Sequence, residues 1–358
     1  MLNNQLVAVI NRDVRTIADT PLPWDMLSGC RVVVTGAAGF LGGYLTRLLL
    51  SLHALGKISQ PIRVVAIVRD SARARATLTD LIDNPDFELF QADLNALAVP
   101  AIGAVHYVLH AASQASPKFY GVDPVGTILP NTVGTVALLE ALRCSDDPRG
   151  FLFVSSSEVY GNVDGAASLA EEDYGTVNPA TVRACYAEGK RAGETICVSY
   201  HQQYALPTFI VRPFHTYGPG LKPDDGRVFA DFAFSVVRDE NIIMTSDGSS
   251  RRAYCYVTDA IAGIFTVLLK GQPGTPYNVA NPAAEMSVLD LAELVVGLFP
   301  EKGLAVMRRV PDNNAAYMPS PYNRLIPAVS RLNDLGWHAR VTPADGFRRM
   351  IGAYTETH

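Results

Sequence analysis

Tyr186 and Lys190 lie four residues apart in Arg183-Ala184-Cys185-Tyr186-Ala187-Glu188-Gly189-Lys190-Arg191, a run of helix-forming composition. That spacing puts both on one helical face, where a phenol and an ammonium can touch the same ligand. A free tyrosine has a pKa near about 10, so a useful phenolate at neutral pH requires a neighbouring positive charge. Lys190 can supply it. Alone, the pair is an ordinary set of helix-surface neighbours. It is not alone: the apolar run Phe151-Leu152-Phe153-Val154 ends abruptly in Ser155-Ser156-Ser157-Glu158-Val159-Tyr160-Gly161. This reads as a buried strand delivering hydroxyls and a carboxylate to its carboxyl end. Open α/β sheets bind ligands at that edge. Ser156, Ser157 and Glu158 therefore join Tyr186 and Lys190 as candidate catalytic residues.

Such groups need a frame, and the first half of the chain supplies one. Arg31 to Thr35 reads as a short buried strand running into Gly36-Ala37-Ala38-Gly39-Phe40-Leu41-Gly42-Gly43, with a helix from Tyr44 to Leu52. Glycines in this spacing, between strand and helix, let backbone N–H groups reach a pyrophosphate at the helix's positive end. A dinucleotide site over Gly36, Gly39, Phe40, Leu41 and Gly42 is the expectation. The second strand, Arg63 to Val68, ends in Arg69-Asp70. An acid there holds the ribose hydroxyls of NAD, and an arginine suits the extra phosphate of NADP. The arginine comes first, a slight lean to NADP, and Arg73 and Arg75 read as solvated charges. A third strand, Phe87 to Leu94, brings Asp93 and Leu94 to the adenine. The fourth, Val105 to Leu109, leads to His110-Ala111-Ala112-Ser113, small residues where the chain passes the cofactor. His110 itself is more often a satisfied core histidine than a catalyst. Asn131 opens a helix running through Leu142, as N-cap or active-site brace. With an oxidised nicotinamide in this frame, a second positive charge lies near Tyr186, which can take a hydroxyl proton while hydride leaves the same carbon.

Beyond Glu158 comes a polar segment, Gly161 to Pro179, that reads as a substrate-facing loop. The Tyr186 helix continues to about Tyr204, and Thr208 to Val211 is the sixth strand. After Arg212-Pro213-Phe214-His215-Thr216-Tyr217-Gly218-Pro219-Gly220 the strand–helix alternation breaks down and Pro, Gly and Asp become frequent. The reading is α/β: a Rossmann-like, doubly wound parallel sheet over residues 29–214, with 253–278 rejoining it, and a smaller substrate-binding lobe over 215–252 and 279–358. Arg227, Arg251 and Arg252 lie at or beside that lobe. Arginines of this kind pair bidentately with a diphosphate or stand as solvated charges. Tyr254 to Asp259 reads as a short strand and a helix cap. Residues 1–28 form an arm, with a helix around Leu6 to Ala18 and a turn at Pro21 to Trp24, that packs against the body or a partner subunit.

The bulk numbers narrow the class. The 358 residues, 48% hydrophobic and 18% charged, can bury a full core. A net charge of −5 and a pI near 5.8 give no reason to expect nucleic acid. Five scattered cysteines without a Cys-x-x-Cys pair suggest neither a disulfide framework nor a metal site, and fit a reducing cytoplasm. No stretch is expected to span a membrane, and the start is not that of a secretory signal.

Taken together, Thr35 to Gly42, His110-Ala111-Ala112, Asn131, Ser155 to Gly161, Tyr186-x-x-x-Lys190, Arg212-Pro213-Phe214, Tyr217-Gly218-Pro219 and Arg252…Asp259 resemble the extended short-chain dehydrogenase/reductase family. The resemblance spans about residues 30 to 345, including Ser330-Arg331 and Leu335-Gly336-Trp337. It implies a Rossmann domain, a tightly held NAD or NADP, a nucleotide-sugar substrate and a homodimer. Within the family the chain is most similar to the UDP-glucuronate decarboxylases, through Ser156 to Gly161, Asn178-Pro179, Arg183 to Arg191 and Asp225-Gly226-Arg227-Val228. That likeness implies Tyr186 as base at the sugar's C4 hydroxyl, Lys190 tuning it and holding the nicotinamide ribose, and Ser156 bonding the same hydroxyl. Glu158 would sit near C5, and Arg252 would bind the diphosphate of a UDP-linked sugar. His215 stands where the decarboxylases carry Asn, Gly220 where they carry Arg, and Arg324 matches a late family arginine only approximately. GDP-mannose 4,6-dehydratases share the Ser-Glu pair, UDP-sugar 4-epimerases usually lack an acid at Glu158, and a non-catalytic cofactor sensor of the same fold is the alternative of another class.

Overall fold

A computed structural model describes residues 4–96, 102–163, 168–309 and 324–355; residues 164–167 of the polar loop and 310–323 lie outside them. Seven parallel strands form the central sheet: β1 Arg31–Thr35, β2 Arg63–Val68, β3 Phe87–Gln91, β4 Tyr107–His110, β5 Gly150–Val154, β6 Thr208–Pro213 and β7 Pro276–Val279. Their spatial order is β7-β6-β5-β4-β1-β2-β3. The chain winds outward from β1 to β3 and returns across β1 to β4, so a crevice opens beyond the carboxyl ends of β1 and β4. Thr35 pairs with Ile67 on one side and His110 on the other, which fixes the register at that crevice.

The strands are near-continuous apolar runs because both faces are covered. In β1, Val32 and Val34 point to one side and Val33 to the other, each in a separate cluster. The first side is closed by α1 Asn4–Ala18, α2 Phe40–Ser51 and the helix Val257–Lys270; the second by the helices Val133–Arg143 and Cys185–Tyr204. In chain order, with Ser71–Thr77 as α3, the last three are α4 (Val133–Arg143), α5 (Cys185–Tyr204) and α6 (Val257–Lys270). The rest of the chain builds smaller sheets. Arg251–Ala253 pairs with Glu285–Ser287 and Arg324–Leu325, Ile242–Met244 with Val306–Arg308, and Cys255–Tyr256 with Thr216–Tyr217.

Several boundaries differ from the sequence reading. Gly39 is the N-cap of α2, so this helix begins at Phe40, one turn before Tyr44. Strand β3 stops at Gln91, which leaves Asp93 and Leu94 in the turn beyond it. Asn131 does not cap α4. It closes a 3-10 turn, Leu129–Asn131, and Thr132 holds the capping position. The segment Pro124–Arg143 does have the length and hydropathy of a membrane span, contrary to the expectation from sequence. It folds as a short helix, that 3-10 turn and α4, over half of it buried in the molecule.

Candidate active site

Gly36 turns the chain out of β1 at φ +70, and a Cβ there would meet the backbone of Ala111 and Ala112 at 2.9 Å. A Cβ on Gly42 would sit 2.1 Å from the Gly36 carbonyl oxygen. Only glycine lets α2 rise this close to the loop, which leaves the first N–H groups of α2 facing the crevice. Asn131, behind it, donates Nδ2 to Ser113 Oγ at 3.0 Å and to the Thr127 carbonyl at 2.8 Å. Its Oδ1 is buried without a partner among the described residues. Its side chain ties Ser113 to Thr127 and does not cap α4, the other role read for it. A glycine cradle at a helix N-terminus, a small-residue wall at Ala111–Ala112 and this unspent acceptor suit a dinucleotide.

His110 is not available to that ligand. Its Nε2 lies 2.9 Å from the Pro130 carbonyl, which can only accept, so Nε2 carries the proton. Nδ1 then accepts from the Thr35 hydroxyl at 2.7 Å, and Thr35 Oγ1 accepts from the Ala112 N–H at 3.1 Å. Burial, with Lys190 nearby, pushes the imidazole down to about 3, so it is neutral. The side chain is thus committed to holding the wall of the crevice. Asp70 is similarly engaged: its Oδ1 caps α3 by accepting from the Arg73 N–H at 2.9 Å. Arg69 stands beside it at the end of β2, and Asp93 Oδ1 accepts from the Asn95 N–H at 3.0 Å.

The apolar strand β5 ends as expected in the serines. Ser156 caps a 3-10 turn, Ser157–Tyr160, by accepting from the Glu158 N–H at 3.2 Å, and Ser157 is buried at its start. Ser156 also acts on the Tyr186 phenol, favouring its charged form. Tyr186 and Lys190 share a face of α5, both buried, with Lys190 Nζ 5.8 Å from the Tyr186 ring centre. Lys190 also has a backbone partner and an aromatic one. Its ammonium donates to the Val154 carbonyl at 2.6 Å and lies 4.9 Å from the Phe153 ring centre. Burial brings Lys190 down to about 7, against an opposing pull from Glu194. Burial also pushes Tyr186 up to about 12; Ser156 lowers it, the Glu158 charge raises it, and Arg227 and Arg183 lower it. Desolvation thus outweighs the cations at the phenol, and those cations are arginines.

Arg183 is the residue the sequence did not reveal as part of the site. Its Nη2 donates to both Glu158 oxygens at 3.0 Å, and its guanidinium lies 4.9 Å from the Tyr120 ring centre. Tyr120 stacks on Tyr186 at 5.3 Å and 15°. Glu158, Arg183, Asn162 and Asn178 line a cavity of about 170 Å³ beside Ala184 and Ala187, the residues flanking this part of α5. The arginines expected at the substrate each have partners in the fold. Arg227 is paired with both oxygens of Asp225, at 2.5 and 2.9 Å, and stacks 4.9 Å from Phe229. Arg252 is buried and donates to the Arg251 carbonyl. Arg324 donates to Glu285 at 3.0 Å through two nitrogens, and Arg251 also holds Glu285, which drops to about 2 through the Arg324 hydrogen bonds above all. No group of three or more His, Cys, Asp or Glu side chains that could hold a metal occurs among the described residues.

Known proteins are similar to this chain over most of its length. UDP-glucuronic acid decarboxylase 6 of Arabidopsis thaliana is 34% identical over 328 residues, 90% of this chain and 88% of that protein. UDP-glucuronic acid decarboxylase 1 of Danio rerio is 32% identical, covering 85% of this chain and 71% of its own. Two solved structures share the fold. One is UDP-glucuronic acid 4-epimerase from Bacillus cereus in complex with UDP-glucuronic acid and NAD (TM-score 0.72, 23% identity, 90% of this chain and 98% of that one). The other is a dTDP-glucose 4,6-dehydratase from Streptomyces venezuelae with NAD bound (TM-score 0.75, 22% identity, 90% and 96%). The family's own sequence profile covers residues 32–280 and is described by NAD, where Arg69-Asp70 leaned slightly to NADP. The chain is an enzyme that belongs to the NAD dependent epimerase/dehydratase family.

Proposed function

We propose that the protein decarboxylates a UDP-linked uronate, oxidising C4 of the sugar transiently and restoring it in the same active site. The observation that carries this reading is Glu158, held by Arg183 on the turn that also presents Ser156 to the Tyr186 phenol. When bound, NAD supplies the hydride acceptor and donor and a positive charge beside the phenol. Tyr186 takes the proton of the C4 hydroxyl, with Ser156 bonding the same oxygen. A ketone at C4 is the electron sink that lets the carboxylate on C5 leave as carbon dioxide. Glu158 is the acid–base group at C5, where the resulting carbanion must be protonated before hydride returns to C4. Lys190, tied to Val154, holds the nicotinamide ribose, and Arg227, Arg252, Arg324 and His215 serve the nucleotide sugar.

Residues 29–214 and 253–278 form the cofactor unit in this reading, and 215–252 with 279–358 the substrate lobe. The enzyme works as a cytoplasmic homodimer. Incubating purified protein with UDP-glucuronate and NAD should release carbon dioxide and a UDP-pentose. Absence of both would reject the decarboxylase; a 4-keto-6-deoxy product from a nucleotide hexose would install a dehydratase in its place.

A further inference from the structure

Ser116 and Tyr120 are the two ends of one short 3-10 turn, Pro117–Phe119, in the loop after β4: Ser116 is its N-cap and Tyr120 its C-cap. Both are buried. The turn closes on itself, with the Tyr120 N–H donating to the Pro117 carbonyl at 3.1 Å and the Tyr120 hydroxyl to the Ala115 carbonyl at 3.0 Å. A turn this short and this tightly tied moves as one piece, so a displacement of Ser116 is felt at Tyr120. At one end it is fastened to residues 224–227. Ser116 Oγ donates to the Asp225 carbonyl at 2.6 Å, and Lys118 Nζ donates to the Asp224 carbonyl and, at 3.0 Å, to the Asp224 carboxylate. Gly226 takes φ +82 here, and a Cβ on it would stand 3.2 Å from Ser116 Oγ, so glycine lets the segment lie close on the turn. The same segment carries Arg227, paired with the Asp225 carboxylate. At the other end, the Tyr120 ring stacks on Tyr186 and meets the guanidinium of Arg183, which grips Glu158. Burial above all, then the Tyr186 phenol and Glu158, hold the Tyr120 hydroxyl well above its ordinary value. It therefore stays a donor to Ala115 and does not compete with Tyr186 as a base. One ring touches both the phenol expected at C4 and the cation that holds the carboxylate expected at C5.

We propose that Tyr120 is a positioning residue for the Tyr186 phenol, and that the Ser116 clasp sets the place of Tyr120 from the segment that carries Arg227. Neither side chain holds a reacting atom: Tyr120 acts through Tyr186, and Ser116 acts through Tyr120. A nucleotide sugar held by Arg227 and a phenol placed by the same turn are thereby kept in register. Proton transfer from the C4 hydroxyl depends on that register, since a misplacement of about 1 Å costs up to ~100-fold in rate. The role rests on the reading above for two points only, oxidation at C4 through Tyr186 and Arg227 as a contact of the nucleotide sugar; what then happens at C5 does not enter.

The test measures steady-state turnover by NAD-saturated protein of whichever nucleotide sugar the wild-type enzyme converts. A hexose in place of UDP-glucuronate then sinks the decarboxylase and leaves the comparison intact. Tyr120→Leu removes the ring and should lower kcat about tenfold or more, with the Kd for NAD unchanged. Tyr120→Phe keeps the stack and should retain kcat to within about threefold. Ser116→Ala opens the clasp and should lower kcat about three- to tenfold. In the Tyr120→Leu background it should lower kcat no further, because the ring it places is gone. If Tyr120→Leu fails to fold, Ser116→Ala, which removes a single hydroxyl, decides alone. A wild-type kcat in Tyr120→Leu or in Ser116→Ala, a loss in Tyr120→Phe equal to that in Tyr120→Leu, or independent losses that multiply in the double variant would each overturn the positioning role. Failure of the wild-type enzyme to oxidise any nucleotide sugar would remove the C4 reading and this role together.

Discussion

Tyr186, Lys190, Ser156 and Glu158 are written in two short strings, and short strings are what a sequence displays best. Their couplings are not. Lys190 was read as the charge that lowers the Tyr186 pKa, because four-residue spacing shows that two side chains share a face and nothing about competing acceptors. The Val154 carbonyl, 36 positions away, accepts a hydrogen bond from the ammonium, and the surrounding core takes away its water. The phenol at about 12 is therefore a proton donor at neutral pH until a further positive charge arrives. Tyr186→Phe should cut kcat by about 10²- to 10⁴-fold while leaving NAD bound, as read by cofactor absorbance after gel filtration. Retained turnover would remove the phenol from the chemistry. His110 gives a second prediction at this scale. Its folded pKa, about 3, lies below the ordinary 6.5, so between those values the unfolded chain holds a proton that the folded one lacks. Stability must then fall as pH drops from about 6.5 towards 3, by up to ~1.4 kcal/mol per pH unit from this group. His110→Gln should be less stable at pH 7, having lost the Thr35–Pro130 relay, yet show a flatter acid limb in urea titrations. Parallel limbs for the two proteins would refute the assignment.

Between elements the site is tied by one buried hub. Arg212, at the end of β6, grips Glu194 of α5 with Nε at 2.9 Å and Nη2 at 2.6 Å. Its Nη1 donates to Tyr160 Oη and to the Glu171 carbonyl, both at 3.0 Å. Tyr160 in turn donates to Asn278 of β7 at 2.6 Å, and Ser155 at the end of β5 bonds Glu194. The turn bearing Ser156 and Glu158 is thus locked to the helix bearing Tyr186 and to the two outer strands. Arg212-Pro213-Phe214 was legible as a family motif after the sixth strand, and not as a hub. Partners 18, 41 and 52 positions away leave no periodic trace in a single chain. Removing one partner strands a buried carboxylate, so Arg212→Met should cost about 3–5 kcal/mol in denaturant unfolding. Replacing both, Arg212→Met with Glu194→Leu, should recover much of that loss. A single substitution costing under about 1 kcal/mol would show that the hub is not what holds these elements together.

At the scale of the molecule, the sheet was readable because strands covered on both faces are apolar throughout, and such runs stand out between glycines. The arm was readable as a helix and silent as to purpose, since an amphipathic stripe says that a face is covered and not by what. The structure answers that part. Leu6, Ile10, Val14 and Ile17 of α1 are buried against the cluster shared by α2 and α6. Asp13, buried in that seam, accepts from Tyr44 of α2 at 3.0 Å and from Tyr256, just before α6, at 2.8 Å. Gln5 reaches the Gly352 carbonyl at 2.6 Å. One short helix therefore joins the helix of the glycine cradle to segments some two hundred and more residues later in the chain. Burying four such side chains contributes roughly 6–12 kcal/mol before the ordering of the helix is set against it. Deleting residues 1–18 should then cost several kcal/mol net, and the loss should fall on α2, whose N-terminus belongs to the glycine cradle. The expected signature is a lower unfolding midpoint together with a raised Kd for NAD. Val14→Asp, which keeps the chain whole, should reproduce both effects in weaker form. If the truncated protein is less stable but binds NAD with undiminished affinity, the arm is a cover for the core and does not position the cradle.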